Sequence, residues 1–306
     1  MKTNHNKSTA RTPSKAQTSF IRAACGSALT LLLLCAVALG ASAVPTRGQV
    51  TVQGSTTVLP FVQRAAEEFM LKNPSVSISV RGGGSGNGIA ALIDSTVDIA
   101  VSSRFIKPDE VKRAKANGVS PVSFTIALDG IAVIVNPRNS VNRLSLSQLK
   151  AIYTGRITNW KQLGGPDMAI VPISRDSSSG TFEVFSTIAL GGARVTPDAL
   201  LQASNGAVAD IVSRTPGAVG YVGIGYLSSR VKAIQVRTED PDSSYVTPSY
   251  ASVQSGKYPM ARELFVFTNG SPAGAVLEFI DFMMSPEGQK LAEEEGFVPI
   301  MPIGQQ

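Results

Sequence analysis

The stretch GQVTVQGSTTVLPFVQRAAEEFMLKNPSVSISVRGGGSGNGIAALIDSTVDIAVSS, residues 48–103, switches between two hydrophobic periods. GQVTVQG alternates with period two and reads as a strand. TTVLPFVQRAAEEFMLKNP places Val58, Phe61, Val62, Ala65 and Phe69 on one helical face, with Pro74 beyond its end. VSISV is a second strand, RGGGSGNG a loop, IAALIDS a helix and VDIAVS a third strand. KPDEVKRAKANG continues the rhythm as a polar helix closed by glycine. Strand alternating with helix indicates an α/β fold around a largely parallel sheet.

Beyond residue 121 the rhythm changes. VSFTIALDGIAVIVN is a long β-rich run that Asp129-Gly130 is expected to break. LSLSQLKAIYTG reads as a helix, and ITNWKQLGG as a loop carrying the single tryptophan. AIVPISR is a strand, AVADIVSRTPGAVGYVG a helix, turn and strand, ELFVFTN a late strand, and SPAGAVLEFIDFMMSPEGQKLAEEEGFVP a terminal helical pair. The two apolar β segments near 122–135 and 262–268 are candidate crossovers between two α/β lobes, with the C-terminus completing the first. One continuous α/β domain is the plainer alternative.

The first 43 residues read as a secretory leader rather than fold. Lys2, Lys7, Arg11, Lys15 and Arg22 precede an apolar run too short to span a bilayer comfortably, and ASA at 41–43 is a small-residue cleavage site. Neither Cys25 nor Cys35 has the setting of a lipidated cysteine. Those five basic residues belong to the leader and no acidic ones do, so the rest of the chain is nearly neutral. Nothing then points to nucleic acid or anionic lipid. His5, Cys25 and Cys35 are the chain's histidine and cysteines, and all lie in the leader. The mature chain lacks a thiolate nucleophile, an imidazole base and an ordinary zinc site. No cofactor or metal is expected, and binding rather than catalysis becomes the leading class.

Three strand-to-helix turns are rich in glycine and hydroxyls: GSTT at 54–57, GGGSGNG at 82–88 and RDSSSGT at 175–181. A helix start offers unpaired N–H groups and a partial positive charge. Glycine allows close backbone approach, and Ser or Thr adds a neutral donor. Ordinary capping explains any one of them. Three together, one with an adjacent Arg175, suggest an anion site. Other phosphate signatures fail. There is no G-x-x-x-x-G-K-[ST], and GNGIAA at 86–91 has no acid after the next strand for a ribose.

VQGSTTVLPF, GGGSGNGI, VDIAVSSR, IALDGIAVIVN, IYTGRITNW, SRDSSSGT and SPEGQKLAEEEGFVP, in that order, resemble the periplasmic phosphate-binding proteins of high-affinity phosphate ABC transporters. The resemblance implies an α/β, two-lobe periplasmic-binding-protein type II fold with the ligand cleft between the lobes. The leader would be 1–43, the first lobe 44–128 completed by 262–306, and the second lobe 129–261. It further implies a monomer that binds inorganic phosphate in the periplasm, hands it to a membrane permease, and is not an enzyme. The family's ligands match Thr56, Thr57, Ser85, Arg175, Ser179, Gly180 and Thr181. Where the best-known branch has Asp, this chain has Ser103. Asp129 could reach the site instead, or be a turn residue of Asp-Gly. Asp176 is expected to orient Arg175. The competing readings are a binder of sulfate, molybdate or tungstate on the same fold and, more remotely, an exported phosphatase.

Overall fold

The computed structural model describes residues 48–240 and 242–300. The expected leader and its cleavage site lie outside the described residues. Strand β1 (Gln49–Gly54) pairs in parallel with β2 (Ser77–Gly82) and β3 (Ile99–Ser102). Between them run helices α1 (Leu59–Lys72) and α2 (Ser85–Ile93), and α3 (Pro108–Ala116) follows β3. This is the alternation read from the sequence. Helix α1 forms because Phe61, Val62, Ala65, Ala66 and Phe69 share its buried face, while Pro60 occupies the first turn, where no N–H partner is lost.

The run from Pro121 to Val135 is a single strand, β4, and Asp129-Gly130 does not break it. Asp and Gly favour turns, but here pairing on both sides holds the chain extended. Up to Gly130, β4 pairs antiparallel with β11 (Ala261–Asn269); from Ile131 it pairs antiparallel with β8 (Ala218–Gly223). Asp129 therefore lies where β4 changes partner. β11 also borders β3, β8 borders β6 (Val171–Arg175), and β6 borders β7 (Leu200–Gln202). The order across the sheet is β2-β1-β3-β11-β4-β8-β6-β7, with β9 (Lys232–Ala233) also on β4. β5 (Arg143–Ser145) and β10 (Gln235–Arg237) form a separate parallel pair.

Two main cores lie on either side of that change of partner. The first gathers Val50, Val52, Phe61, Phe69, Ile126 and Leu264 with Phe279, Ile280 and Met283 of α8 (Gly274–Met284) and Leu291 of α9 (Pro286–Glu294). The terminal helices thus pack on the lobe that the N-terminal strands begin. A smaller apolar cluster of Ile89, Leu92 and Phe267 adjoins it. The second core holds Ile131 to Val135, Tyr153 of α4 (Leu146–Tyr153), Trp160, Phe185 of α5 (Gly180–Leu190), Val208 of α6 (Asn205–Arg214) and Tyr221. Phe185 and Tyr221 stack with centroids 3.9 Å apart. Trp160, expected in a loop, opens a short 3-10 turn over Trp160–Leu163, and its indole N–H reaches the Gly217 carbonyl at 2.9 Å. A further short helix, α7 (Tyr250–Gln254), precedes β11. Among the described residues no helix is long and apolar enough to cross a membrane.

Candidate functional site

The three hydroxyl-rich turns converge, and each does so through its own local rule. Thr56 and Thr57 fill the turn between β1 and α1; the Thr57 N–H donates to Ser55 Oγ at 3.2 Å. Ser85 is the first residue of α2, entered from Gly84 at φ 98, a left-handed conformation that glycine adopts without strain. A side chain at Gly84 would also strike Ser178 Oγ at 2.4 Å. Ser179 caps α5 by accepting from the Phe182 N–H at 3.2 Å. Gly180 and Thr181 are the first residues of that helix, so their N–H groups have no partner within it.

The five residues RDSSS divide the work. Ser178 ties the two lobes together: its Oγ lies 3.1 Å from the Gly83 carbonyl, and its carbonyl accepts from the Gly86 N–H at 2.9 Å. Ser179 caps, and Ser177 is exposed. Asp176 accepts from the N–H and the hydroxyl of Ser178. Its carboxylate therefore shapes the loop and makes no ion pair with Arg175, contrary to the expected orienting role. It acts on Arg175 only as a nearby charge.

The Arg175 side chain comes from the end of β6 and is 2% exposed. Nε donates to the Gln202 carbonyl at 2.9 Å; Nη2 donates to the Ala203 carbonyl at 2.9 Å and to Thr56 Oγ1 at 3.2 Å. Nη1 is buried without a hydrogen-bond partner. Among the described residues, no carboxylate is in ion-pair contact with this guanidinium. Burial pushes its pKa down, because the charged form has lost water.

The hydroxyls interlock within the first lobe and, through Thr57 and Thr181, across to the second. Thr57 Oγ1 and Thr181 Oγ1 are 2.7 Å apart. Ser85 Oγ lies 3.3 Å from Ser103 Oγ and accepts from the Ser103 N–H at 3.1 Å, while Ser55 Oγ donates to Ser103 Oγ at 3.0 Å. A Cβ on Gly180 would stand 2.4 Å from Ser85 Oγ and 2.9 Å from Ser103 Oγ. That position must be glycine for the lobes to approach this closely.

Asp129 is completely buried and belongs to a strand, which removes its reading as a turn residue. Its Oδ2 accepts from Arg262 Nε at 2.9 Å and Nη2 at 2.7 Å, and its Oδ1 accepts from the Ile224 N–H at 2.9 Å. Burial raises its pKa and outweighs the opposing effect of Arg262; burial likewise lowers that of Arg262. Asp129 thus joins the cluster through Arg262. Nη2 of that arginine also reaches Thr181 Oγ1 at 3.1 Å and Thr57 Oγ1 at 3.4 Å, and Nη1 reaches the Ser103 carbonyl at 3.2 Å.

Three residues of this cluster escaped the sequence reading. Arg262 alternates with Leu264 and Val266, which are buried, so a charge on the inward face of a strand was a usable signal. Asn205 donates Nδ2 to Thr56 Oγ1 at 3.1 Å and Thr57 Oγ1 at 3.0 Å, with Oδ1 accepting from the Gly223 N–H at 3.2 Å. It follows the cap Ser204 in SNG, a fourth helix start of the kind already singled out. Tyr226 donates its hydroxyl to the Thr56 carbonyl. Burial pushes that phenol up to about 12, so it stays a donor.

A charge buried without a counter-charge, ringed by hydroxyl, amide and helix-end donors, is suited to hold a small oxyanion. Comparison with known proteins points the same way. The PBP superfamily domain matches residues 40–287. The phosphate-binding protein PstS of Bacillus subtilis (strain 168) is 36% identical over 255 residues, covering 83% of this chain and 81% of that protein. PstS of Borreliella burgdorferi is 32% identical over 260 residues, covering 82% of this chain and 90% of its own. Among solved structures, a phosphate ABC transporter substrate-binding protein from Clostridium perfringens with bound phosphate superposes with TM-score 0.75 at 33% identity, covering 83% of this chain and 100% of the other. An ABC-type phosphate transport receptor from Vibrio cholerae gives TM-score 0.66 at 34% identity, again covering 83% and 100%.

Proposed function

The chain belongs to the PstS-like phosphate-binding proteins of the PBP superfamily, and from that premise we propose that it binds inorganic phosphate outside the inner membrane and delivers it to the permease of an ABC importer. The observation that carries this is the Arg175 guanidinium, buried with Nη1 unpartnered and no carboxylate in contact. Nη1 keeps its N–H donors for a phosphate oxygen, and exchange of the Nη2–Thr56 contact for a second oxygen would complete the planar fork. The Gly180 and Thr181 amides, the hydroxyls of Thr56, Thr57, Ser85, Ser103, Ser179 and Thr181, and the Asn205 amide supply neutral donors around it. Arg262 and Asp129 add a nearly balanced pair, so the site's unmatched charge rests on Arg175. Helix ends contribute about 0.3–2 kcal/mol each and charge-assisted hydrogen bonds about 1.5–3. Micromolar binding needs roughly −8 kcal/mol, which a preorganised set of this size can reach.

In this reading 48–128 with 262–300 form one moving body and 129–261 the other. The anion closes them by touching both, because a ligand shifts such an equilibrium only through contacts made in the closed form. The protein works as a monomer, is exported with cleavage near Ala43, and turns over no substrate. Titration calorimetry against phosphate, sulfate and molybdate tests the ligand; one phosphate per chain is expected, with sulfate and molybdate much weaker. Binding of molybdate or sulfate in place of phosphate would overturn the assignment. Small-angle scattering should show a smaller radius of gyration at saturating phosphate. Hydrolysis of an aryl phosphate with added magnesium or zinc would contradict the binding-only role.

A further inference from the structure

Next to the anion cluster, at the contact between the lobes, is a group of four charges that the binding reading does not use. Arg104 follows Ser103 directly and is 6% exposed. Its two Nη atoms form a fork on Glu110, Nη1 to Oε2 at 2.8 Å and Nη2 to Oε1 at 2.7 Å, and Nη1 also donates to the Phe105 carbonyl at 2.9 Å. Glu110 accepts the Lys107 N–H at 2.9 Å as well. Burial alone would raise the Glu110 carboxyl; the Arg104 and Lys107 contacts outweigh it and hold it below the usual carboxylate range. All of this lies on one side of the contact.

The remaining edge of Arg104 faces the other side. Nε stands 2.7 Å from Oε2 of Glu183, and Lys107 Nζ stands 2.9 Å from the same oxygen. The Nε approach is not aligned with its N–H, so it is a contact of charge rather than an aligned hydrogen bond. Glu183 lies in the first turn of α5, two residues after Thr181. Arg104 and Lys107 against Glu110 leave one positive charge on the first lobe; Glu183 supplies one negative charge on the second. Closing the lobes neutralises the group, and opening them separates it while leaving the Arg104–Glu110 fork intact.

We propose that Glu183 is a positioning residue for anion binding: it latches α5 to the Arg104–Lys107 turn in the closed form and so slows release of the bound anion. This rests on the phosphate-binding reading. The latch touches no ligand. It acts by holding Gly180 of α5 against Ser85 and Ser103, and Thr181 against Thr57. Arg104 is already oriented by Glu110, so the latch closes with little side-chain ordering. The Glu183 side chain is 18% exposed and Lys107 45%, so part of the effect should be screened by salt.

Stopped-flow and calorimetric phosphate binding by the purified protein tests it with Glu183→Gln, which keeps shape and removes charge, and Glu183→Asp, which keeps charge. Glu183→Gln is expected to release phosphate about tenfold faster, within the ordinary range of coupling between sites, with association changed less than about twofold. Glu183→Asp should fall between it and the unmodified protein. The difference should shrink as sodium chloride rises. Equal dissociation rates in a protein that binds phosphate would overturn the latch. If the unmodified protein binds no phosphate, the phosphate reading and its ligand-driven closure fail together, the closed arrangement is that of the free protein, and scattering of the ligand-free proteins decides the latch. Glu183→Gln should then show the larger radius of gyration, and superimposable curves would overturn the proposal.

Discussion

Arg175 and Arg262 are both buried in the same cluster and both reach its threonines, but their surroundings differ in kind. Arg262 arises where the two long strands begin to pair, directly opposite Asp129 in register, and that carboxylate takes two of its donors. Arg175 rises from a strand end and is held by the Gln202 and Ala203 carbonyls and Thr56, none of which carries charge. A buried charge is costly unless paired. Arg262 meets that rule within the chain. Arg175 meets it only with an anion from outside. In the proposed reading one arginine is therefore part of the scaffold and the other part of the ligand site, although the sequence presents each as a lone basic residue at a strand end.

The sharpest way to break this contrast is to remove each arginine and compare stability with binding. Arg262→Met should leave Asp129 buried and unpaired and cost about 3–5 kcal/mol of unfolding free energy, measured by urea denaturation. Loss of less than about 1 kcal/mol would mean that the pair is not structural. Arg175→Lys should behave oppositely. It should weaken phosphate binding by about 1.5–3 kcal/mol in calorimetry, because an ammonium cannot make the planar double contact, while the denaturation midpoint hardly moves. Unchanged affinity would take Arg175 out of the site.

The same contrast bears on what a sequence shows. Alternation of period two with period 3.6 is local, so β1 to α3 could be read directly. The three hydroxyl-rich turns stand out because glycine and hydroxyls at a helix start are a local pattern too. Asp129-Gly130 misled as a turn because turn propensity is local, whereas the two flanking partners that keep β4 extended come from 218–223 and 261–269. Arg262 and Asn205 were missed for the same reason. Their roles depend on partners far along the chain: Asp129, 133 residues from Arg262, and Thr57, 148 residues from Asn205. Adjacency suggests Asp176 as the partner of Arg175, but Asp176 stands just past β6 and its carboxylate turns to Ser178.

Gly180 separates closure from folding. It begins α5 without a left-handed φ, so alanine is tolerable for the helix itself. Its Cβ would nevertheless meet Ser85 Oγ at 2.4 Å, and that hydroxyl is fixed by the Ser103 N–H. Gly180→Ala should therefore prop the lobes apart, lowering phosphate affinity about tenfold, or 1.4 kcal/mol, with stability little changed. Parallel loss of both would instead indicate a packing fault within one lobe.

The smallest expected effect concerns selectivity, and it asks whether the Arg262 charge is as fully offset as the geometry suggests. Hydrogen phosphate carries a proton that sulfate lacks, and a carboxylate can reward that proton while repelling sulfate. In this chain Ser103 stands near the cluster where the family's acid would be, and Asp129 has its oxygens engaged by Arg262 and the Ile224 N–H. Asp129 is thus proposed to act on selectivity through Arg262, by keeping that second guanidinium from attracting any dianion. Asp129→Asn keeps the shape and releases the Arg262 charge into the cluster. Sulfate, a dianion at every working pH, should gain more than phosphate, and the preference for phosphate should fall by several-fold, on the order of 1 kcal/mol. Competition calorimetry at fixed ionic strength reads this directly. An unchanged ratio, with the fold intact, would show that the discrimination lies in the hydroxyl set of Ser55, Ser85 and Ser103, and that the Asp129–Arg262 pair serves the paired strands alone.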